Sequence, residues 1–282
     1  MQFVKMHGSG NDYVVVDGRS IQMDWSKLSL SICDRHLAVG ADGLLVLMDS
    51  DASDVRMRMF NPDGSEAEMC GNGIRCVAKY VFENDFVVAN PTLLKVETSG
   101  GIKSIEPAWR DNRIVRARVD MGEPELIPER IPVVMSGDMT EGPILDFPVD
   151  IEGHLLSLSF VSMGNPHAVA FIDTPVNEFP LTIIGPKVEN HSLFPNKVNF
   201  SIVNVIEKGR VEARVWERGA GETMACGTGA CAIAVASRLH DYMDEEIEIA
   251  LKGGLLTITW DGLHSVYMEG PAVEVFRGEW TL

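Results

Sequence analysis

The sequence predicts a strand-rich α+β protein (α/β in the broad sense) built from two structurally similar, pseudo-symmetric halves, and three features predict it. Short apolar stretches recur along the chain with turn residues between them, helical patterns are few, and one segment of the first half recurs in the second with the same residues at the same spacing. At 282 residues the chain can bury a sizeable core as two domains of ordinary size. Its hydrophobic fraction of 45% and charged fraction of 23% are those of a folded globular protein.

In chain order, FVKM, VVVD, LLVLM, VRMRMF, LLKVET, SIEPAW and IVRARVDM read as strands of the first half, and LLSLSFV, AVAFID, VNFSIVNVI, RVEARVWE, EIEIAL, LLTITW and VYMEG as strands of the second. Most are rich in branched or aromatic residues and bounded by Gly, Pro, Asn or Asp. Helices are expected over roughly Asp24 to Arg35, Ile74 to Asn84, and Ala230 to Leu239, where alanine dominates and demands tight packing. Three prolines in MGEPELIPERIP, Met121 to Pro132, interrupt a strand-like region and mark a change of domain. The halves are drawn as residues 1–123 with 271–282, carrying Cys70, and 124–270, carrying Cys226.

A net charge of −17 supplies no basic stripe for phosphates, so neither nucleic acid nor an anionic membrane surface is an expected partner. The first residues, MQFVKMHGSGND, lack the apolar run of a secretory signal, and no segment approaches roughly 18 continuous apolar residues, so the expected compartment is the cytoplasm. Five scattered cysteines, Cys33, Cys70, Cys76, Cys226 and Cys231, are not a disulfide framework and are expected as free thiols. Cys70 to Cys76 and Cys226 to Cys231 enclose five and four residues, a poor match to zinc-knuckle spacing, and no metal is expected. GSGNDY begins like a dinucleotide fingerprint but lacks its third glycine, no phosphate-loop lysine motif is present, and no lysine has a recognisable Schiff-base setting. No cofactor is expected.

The repeat carries the chemistry. FNPDGSEAEMCGNG, Phe60 to Gly73, matches WERGAGETMACGTG, Trp216 to Gly229, without a gap at an offset of 156, and Gly10-Asn11 pairs with Gly164-Asn165 at 154. In both halves a strand ends in a turn, a Glu follows, and a cysteine opens a helix. The first turn of a helix has unpaired N–H groups and partial positive charge, which favour thiolate, so Cys70 and Cys226 are expected to have lowered pKa values. The glycines after each cysteine let an anion such as a carboxylate approach those N–H groups. Two sulfurs flanking one carbon across a shared cleft could remove a proton from one face and return one to the other, which inverts the centre. A redox pair would lack the Cys-x-x-Cys setting, and a cysteine hydrolase would leave the second sulfur without a role. A non-catalytic amino-acid binding or thiol-sensing protein and an isomerase of another small acid are further readings. Cys33, Cys76 and Cys231 read as inert core thiols.

Together HGSGNDYVVVD, FNPDGSEAEMCGNGIRC, SMGNPHAV, VNFSIV and ERGAGETMACGTG resemble the diaminopimelate epimerase family, in order and over nearly the whole chain. The resemblance implies a cofactor-independent, two-base isomerase that interconverts LL- and meso-2,6-diaminopimelate in lysine and peptidoglycan precursor synthesis. It implies two domains, each a sheet wrapped around a central helix, an active site in the cleft between them, and a homodimer. Residue by residue it makes Cys70 and Cys226 the acid/base pair. Gly71, Asn72, Gly227 and Thr228 would contact the carboxylate at the reacting centre, and Asn11, Asn61, Asn165, Asn199, Glu217 and Arg218 would bind substrate. Such groups suit a zwitterion, because amide oxygens and Glu217 accept from ammonium while Arg218 grips a carboxylate. His167 and Glu217 match positions that tune the thiols. Proline racemases and hydroxyproline epimerases, sister families, tend to carry Cys-Gly-His-Gly at the first cysteine, so Asn72 points to the diaminopimelate branch. One departure is Gly43, where familiar members carry Gln, and water or a neighbour is expected to replace that contact.

Overall fold

The computed structural model describes residues 1–67, 70–84, 86, 89–134 and 142–281, so Glu68 and Met69 of the first repeat lie outside the described residues. The chain divides into two units, Met1–Asp120 with Glu269–Leu282, and Met121–Met268.

The first unit runs β1 (Gln2–Gly8), β2 (Asn11–Asp17), α1 (Trp25–Ile32), β3 (Gly43–Met48), β4 (Val55–Phe60), β5 (Glu66–Ala67), α2 (Gly71–Glu83), β6 (Leu94–Thr98), β7 (Gly101–Arg110) and β8 (Arg113–Gly122). Its pairings in chain order are β1–β2 antiparallel, β2–β3 parallel, β3–β4 and β4–β5 antiparallel, β4–β6 parallel, and β6–β7 antiparallel. The second unit runs β9 (Phe147–Ile151), β10 (His154–Ser162), β11 (Pro166–Phe171), α3 (Leu181–Glu189), β12 (Asn199–Glu207), β13 (Arg210–Glu217), β14 (Gly221–Glu222), α4 (Gly227–Leu239), β15 (Glu246–Leu251), β16 (Gly254–Thr259) and β17 (Val266–Pro271). From β10 onward it repeats the series: β10–β11 antiparallel, β11–β12 parallel, β12–β13 and β13–β14 antiparallel, β13–β15 parallel, β15–β16 antiparallel. The last strand, β18 (Val273–Glu279), lies antiparallel to β1 as β9 lies antiparallel to β10. Matched order, sense and register make the two units copies of one design.

A helix sits at the centre of each copy. Ten of the thirteen residues of α2 are buried, and so are ten of the thirteen of α4. A helix enclosed on nearly all sides has no room for bulk on any face, which is why α4 is built from alanine. Cys76, Cys231 and Cys33 are packed in these interiors as free thiols. Among the described residues, no helix is long and apolar enough to cross a membrane.

Several elements differ from the sequence reading. Both central helices begin three residues earlier than expected, at Gly71 and Gly227, because the cysteine itself serves as N-cap and draws the glycines into the first turn. Helix α1 stops at Ile32 rather than Arg35, since the Asp34 carboxylate accepts the N–H groups of His36 and Leu37 and folds the chain into a turn. Helix α3 is absent from the sequence reading, and it contains Gly185 and Pro186, two residues that disfavour a helix interior. It forms because Leu181, Ile184 and Val188 bury one face in the core of the second unit, alongside Phe200 and Ile202 of β12. Four strands, β5, β9, β14 and β18, also escaped the sequence reading.

GSGND is a hairpin, not a nucleotide loop. Gly8 pairs with Asn11, leaving Ser9 and Gly10 as a two-residue turn with φ of 53° and 86°. Two consecutive left-handed residues are what the right-handed twist of a tight hairpin requires. A Cβ on Gly8 would lie 2.7 Å from the carbonyl oxygen of Asn72, so this hairpin is seated on the first turn of α2.

Gly185→Ala is expected to destabilise the second unit by about 1–3 kcal/mol, measured by urea unfolding. Its Cβ would fall 2.6–2.9 Å from ring atoms of Trp216, a stiff side chain whose indole N–H is held by Glu189.

Candidate functional site

In the first unit Cys70 caps α2 from extended backbone, with φ −138° and ψ 114°, and its Sγ accepts the N–H of Gly73 at 3.4 Å. Sulfur here takes the place that a serine or aspartate oxygen takes in most helices. Tyr13, on β2, brings its hydroxyl to 3.0 Å from Cys70 Sγ. Asn72, in the first helical turn, donates to Asn11 Oδ1 at 2.8 Å, and Asn11 donates to Asp42 at 3.2 Å. Asp42 is steadied by the N–H of Asp12 and by Arg35. The hairpin, the helix start and the loop before β3 therefore form one linked polar layer around Cys70. Asn61 sits apart in the β4–β5 turn, donating to Ser65 Oγ at 2.9 Å.

The second unit repeats the plan with different groups. Cys226 caps α4 with φ −111° and ψ 115°, and Sγ accepts the N–H of Gly229 at 3.3 Å. Thr228 Oγ1 lies 3.5 Å from Sγ, Asn165 donates to Thr228 Oγ1 at 3.3 Å, and the Asn165 amide oxygen lies 3.0 Å from His167 Nε2. His167 is fully buried, and burial, aided by the Arg218 charge, holds its pKa down at about 3. It is therefore neutral and donates from Nε2 to Asn165. The series His167, Asn165, Thr228, Cys226 runs donor to acceptor throughout and ends with a hydroxyl able to donate to sulfur. His167 reaches the thiol through Asn165 and Thr228 rather than by contact.

The expected lowering of the thiol pKa is corrected at Cys226. Burial at 5% exposure is the largest influence and pushes the thiol well above its ordinary range; the Glu217 carboxylate pushes it further. The bonds from Thr228 and Gly229 oppose this but do not prevail. A helix start stabilises a thiolate by its N–H groups and field, and near-complete desolvation beside a carboxylate outweighs both.

The second glycine of each Cys-Gly-x-Gly also has a packing reason. A Cβ on Gly229 would lie 3.2 Å from Cys226 Sγ, and one on Gly73 would crowd Leu45 at 3.2 Å. Gly71 and Gly227 are the first residues of their helices, as expected of groups offering N–H donors. Asn199 and Arg218 are brought together, though the Asn199 amide is only 3% exposed and engaged at both ends, accepting from Arg218 N at 2.9 Å and donating to Pro166 O at 3.0 Å. The Arg218 side chain is exposed and donates to Asn196 O. Glu217 closes the β13–β14 turn and accepts from Thr223 Oγ1. Gly43 pairs with Tyr13 as Asn199 pairs with His167, and a Cβ there would stand 3.0 Å from the Phe60 carbonyl. The position is filled by packing.

Tyr13, Asp42 and Thr223 were missed by sequence reasoning. A signal for Tyr13 was present: if Asn11 pairs with Asn165, the residue two further on pairs Tyr13 with His167.

The family model described as diaminopimelate epimerase matches residues 3–127 and 159–275. The chain is 48% identical to the diaminopimelate epimerase of Desulfovibrio desulfuricans over 284 aligned positions, covering 99% of this chain and 98% of that one. It is 46% identical to that of Moorella thermoacetica, covering all of both chains. Among solved structures, a probable proline racemase from Agrobacterium radiobacter superposes with a TM-score of 0.72 at 14% identity, covering 100% of this chain and 93% of that one. A hydroxyproline epimerase from Agrobacterium vitis does so with a TM-score of 0.69 at 14% identity, covering 99% and 91%. At that identity the likeness is one of fold.

Glu217→Gln should bring the Cys226 thiol down by about one pH unit, because it removes a like charge beside the forming thiolate. The rate of iodoacetamide labelling at Cys226 as a function of pH, read by peptide mass spectrometry, measures it; an unmoved midpoint in folded protein would contradict the assignment of Glu217.

Proposed function

The chain belongs to the diaminopimelate epimerase family, and on that premise we propose that it interconverts LL- and meso-2,6-diaminopimelate by passing the α-proton between Cys70 and Cys226, without metal or pyridoxal phosphate. The observation that carries this reading is the duplicated helix start. In each unit a cysteine sulfur accepts the N–H of the third helical residue, and an asparagine from the neighbouring hairpin reaches the second, Asn11 to Asn72 and Asn165 to Thr228.

An α-carbon flanked by an ammonium and a carboxylate is a weak acid, so its proton leaves only if the developing negative charge is met by fixed donors. The N–H groups at the starts of α2 and α4, with Asn72 and Thr228, suit the carboxylate of the reacting centre. One thiolate takes the proton from one face while the opposite thiol supplies another, and the roles exchange in reverse. Burial and Glu217 favour Cys226 as the thiol before substrate arrives. Once Glu217 accepts from a substrate ammonium, part of its charge is offset, and the barrier to a thiolate at Cys226 falls. Asn61, Asn199 and Arg218 complete recognition, the guanidinium of Arg218 being the group suited to the distal carboxylate.

The same reading makes the protein a cytoplasmic homodimer acting in lysine and peptidoglycan precursor synthesis. In D₂O, incubation with LL-diaminopimelate is expected to wash deuterium into the α-position while the diastereomer ratio drifts to equilibrium, both followed by NMR; absence of both would overturn the assignment. Cys70→Ala and Cys226→Ala should each lower epimerisation by at least about 100-fold. Full activity in either variant would refute the two-base mechanism.

A further inference from the structure

Resting on that reading, we propose that Tyr13 is the positioning residue that makes Cys70 the resting base of the pair: its hydroxyl donates to Cys70 Sγ and favours the thiolate. The hydroxyl lies 3.0 Å from the sulfur, and the ring is locked in the core at 2% exposure, so the donor is fixed rather than recruited from solvent. The direction of the bond follows from acidity. A phenol is ordinarily a weaker acid than a thiol, and burial raises the Tyr13 phenol further, with the charge of Cys70 as the next contribution. The oxygen keeps its proton and the sulfur gives its proton up.

The second unit supplies the contrast. The counterpart of Tyr13 is His167, whose ring nitrogen is directed at Asn165, and the charged group acting on Cys226 is the Glu217 carboxylate. The place equivalent to Glu217 in the first unit is Asn61, a neutral amide. One sulfur therefore has a phenol hydroxyl at 3.0 Å and a neutral amide at the matched place, where the other has the Thr228 hydroxyl at 3.5 Å and a carboxylate.

Among the described residues, the charged and titratable groups acting on the Tyr13–Cys70 pair are Arg75 and Cys76 on α2 and Asp42 ahead of β3, with Lys79 acting on Cys76. Arg75 is fully buried, its guanidinium tied to Gly71 O at 3.1 Å and Ser9 Oγ at 2.9 Å. Its permanent charge favours a thiolate and the Asp42 carboxylate opposes one. Tyr13→Phe changes none of these groups. It removes one oxygen from a ring that keeps its packing, so the hydroxyl is tested alone.

The test is the pH dependence of iodoacetamide labelling at Cys70 in the full-length protein, resolved by peptide mass spectrometry. In Tyr13→Phe the Cys70 midpoint is expected to rise by about one to two pH units, the size of a lost hydrogen bond to a charged group, while the Cys226 midpoint stays where it is. The acid limb of kcat/KM should move up with it in the direction where Cys70 is the base, with little change in KM. An unmoved Cys70 midpoint in folded Tyr13→Phe overturns the proposal. Should that variant fail to fold, 3-fluorotyrosine inserted at position 13 keeps every hydrogen-bonding atom and makes the phenol a better donor. The Cys70 midpoint must then fall, and a fixed midpoint again overturns the assignment. Labelling needs no turnover, so failure of deuterium exchange in the parent protein counts against the epimerase reading alone, and an unmoved midpoint against Tyr13 alone.

Discussion

The rest of the structure depends on a helix start placed inside a sheet. The first N–H groups of a helix have no partner within it, and burying them unmet costs about 1–3 kcal/mol each. Both α2 and α4 have such a buried start, and Cys70 and Cys226 each satisfy one donor with sulfur. Sulfur is a weak acceptor when protonated and a strong one as thiolate, so the cap itself changes strength with protonation. The N–H groups of Gly71 and Gly227, at the first helical positions, suit an anion.

The two copies share backbone and pairing but not electrostatics. A base and an acid of the proposed reaction cannot both rest as thiolates, and the protonation of each thiol depends on its own surroundings. In the second unit, burial and the Glu217 carboxylate raise the Cys226 thiol while the series from His167 through Asn165 and Thr228 leans the other way. In the first unit, Tyr13 meets the sulfur directly and Asn61 stands where Glu217 would be. The copies have matched geometry, and the side chains around the two sulfurs differ.

Much of this was legible from residues alone. The gapless match of FNPDGSEAEMCGNG to WERGAGETMACGTG identified the repeat, and the copies are repeated strand for strand. Local signals failed where tertiary packing overrides them. Gly185 and Pro186 argue against a helix, yet α3 is held by the apolar face that Leu181, Ile184 and Val188 bury. The reading that a cysteine opens each central helix holds, with sulfur as the cap and the glycine after it as the first helical residue. Tyr13 stands just ahead of the strand read at VVVD, and nothing in NDYVVVD announces that the ring's far end meets a thiol. The thiol environment at Cys226 was misjudged for a related reason: the helix field can be counted from sequence, whereas desolvation is visible only once the fold encloses the sulfur.

That last point bears on how a resting thiol becomes a base. A sulfur as enclosed as Cys226 cannot be served by solvent, so what stabilises its thiolate must come from fixed groups or from the substrate. The fixed groups, Gly229 N–H and Thr228, are too weak against burial and Glu217 in the ligand-free protein. A diamino dicarboxylic acid brings an ammonium that can offset Glu217. In the proposed reaction the substrate thereby completes the electrostatics of one half, and Cys226 becomes competent only when its reactant is bound. In that proposal Cys226 stays protonated until substrate arrives, and Cys70, with its own hydroxyl donor, is the base that starts the cycle.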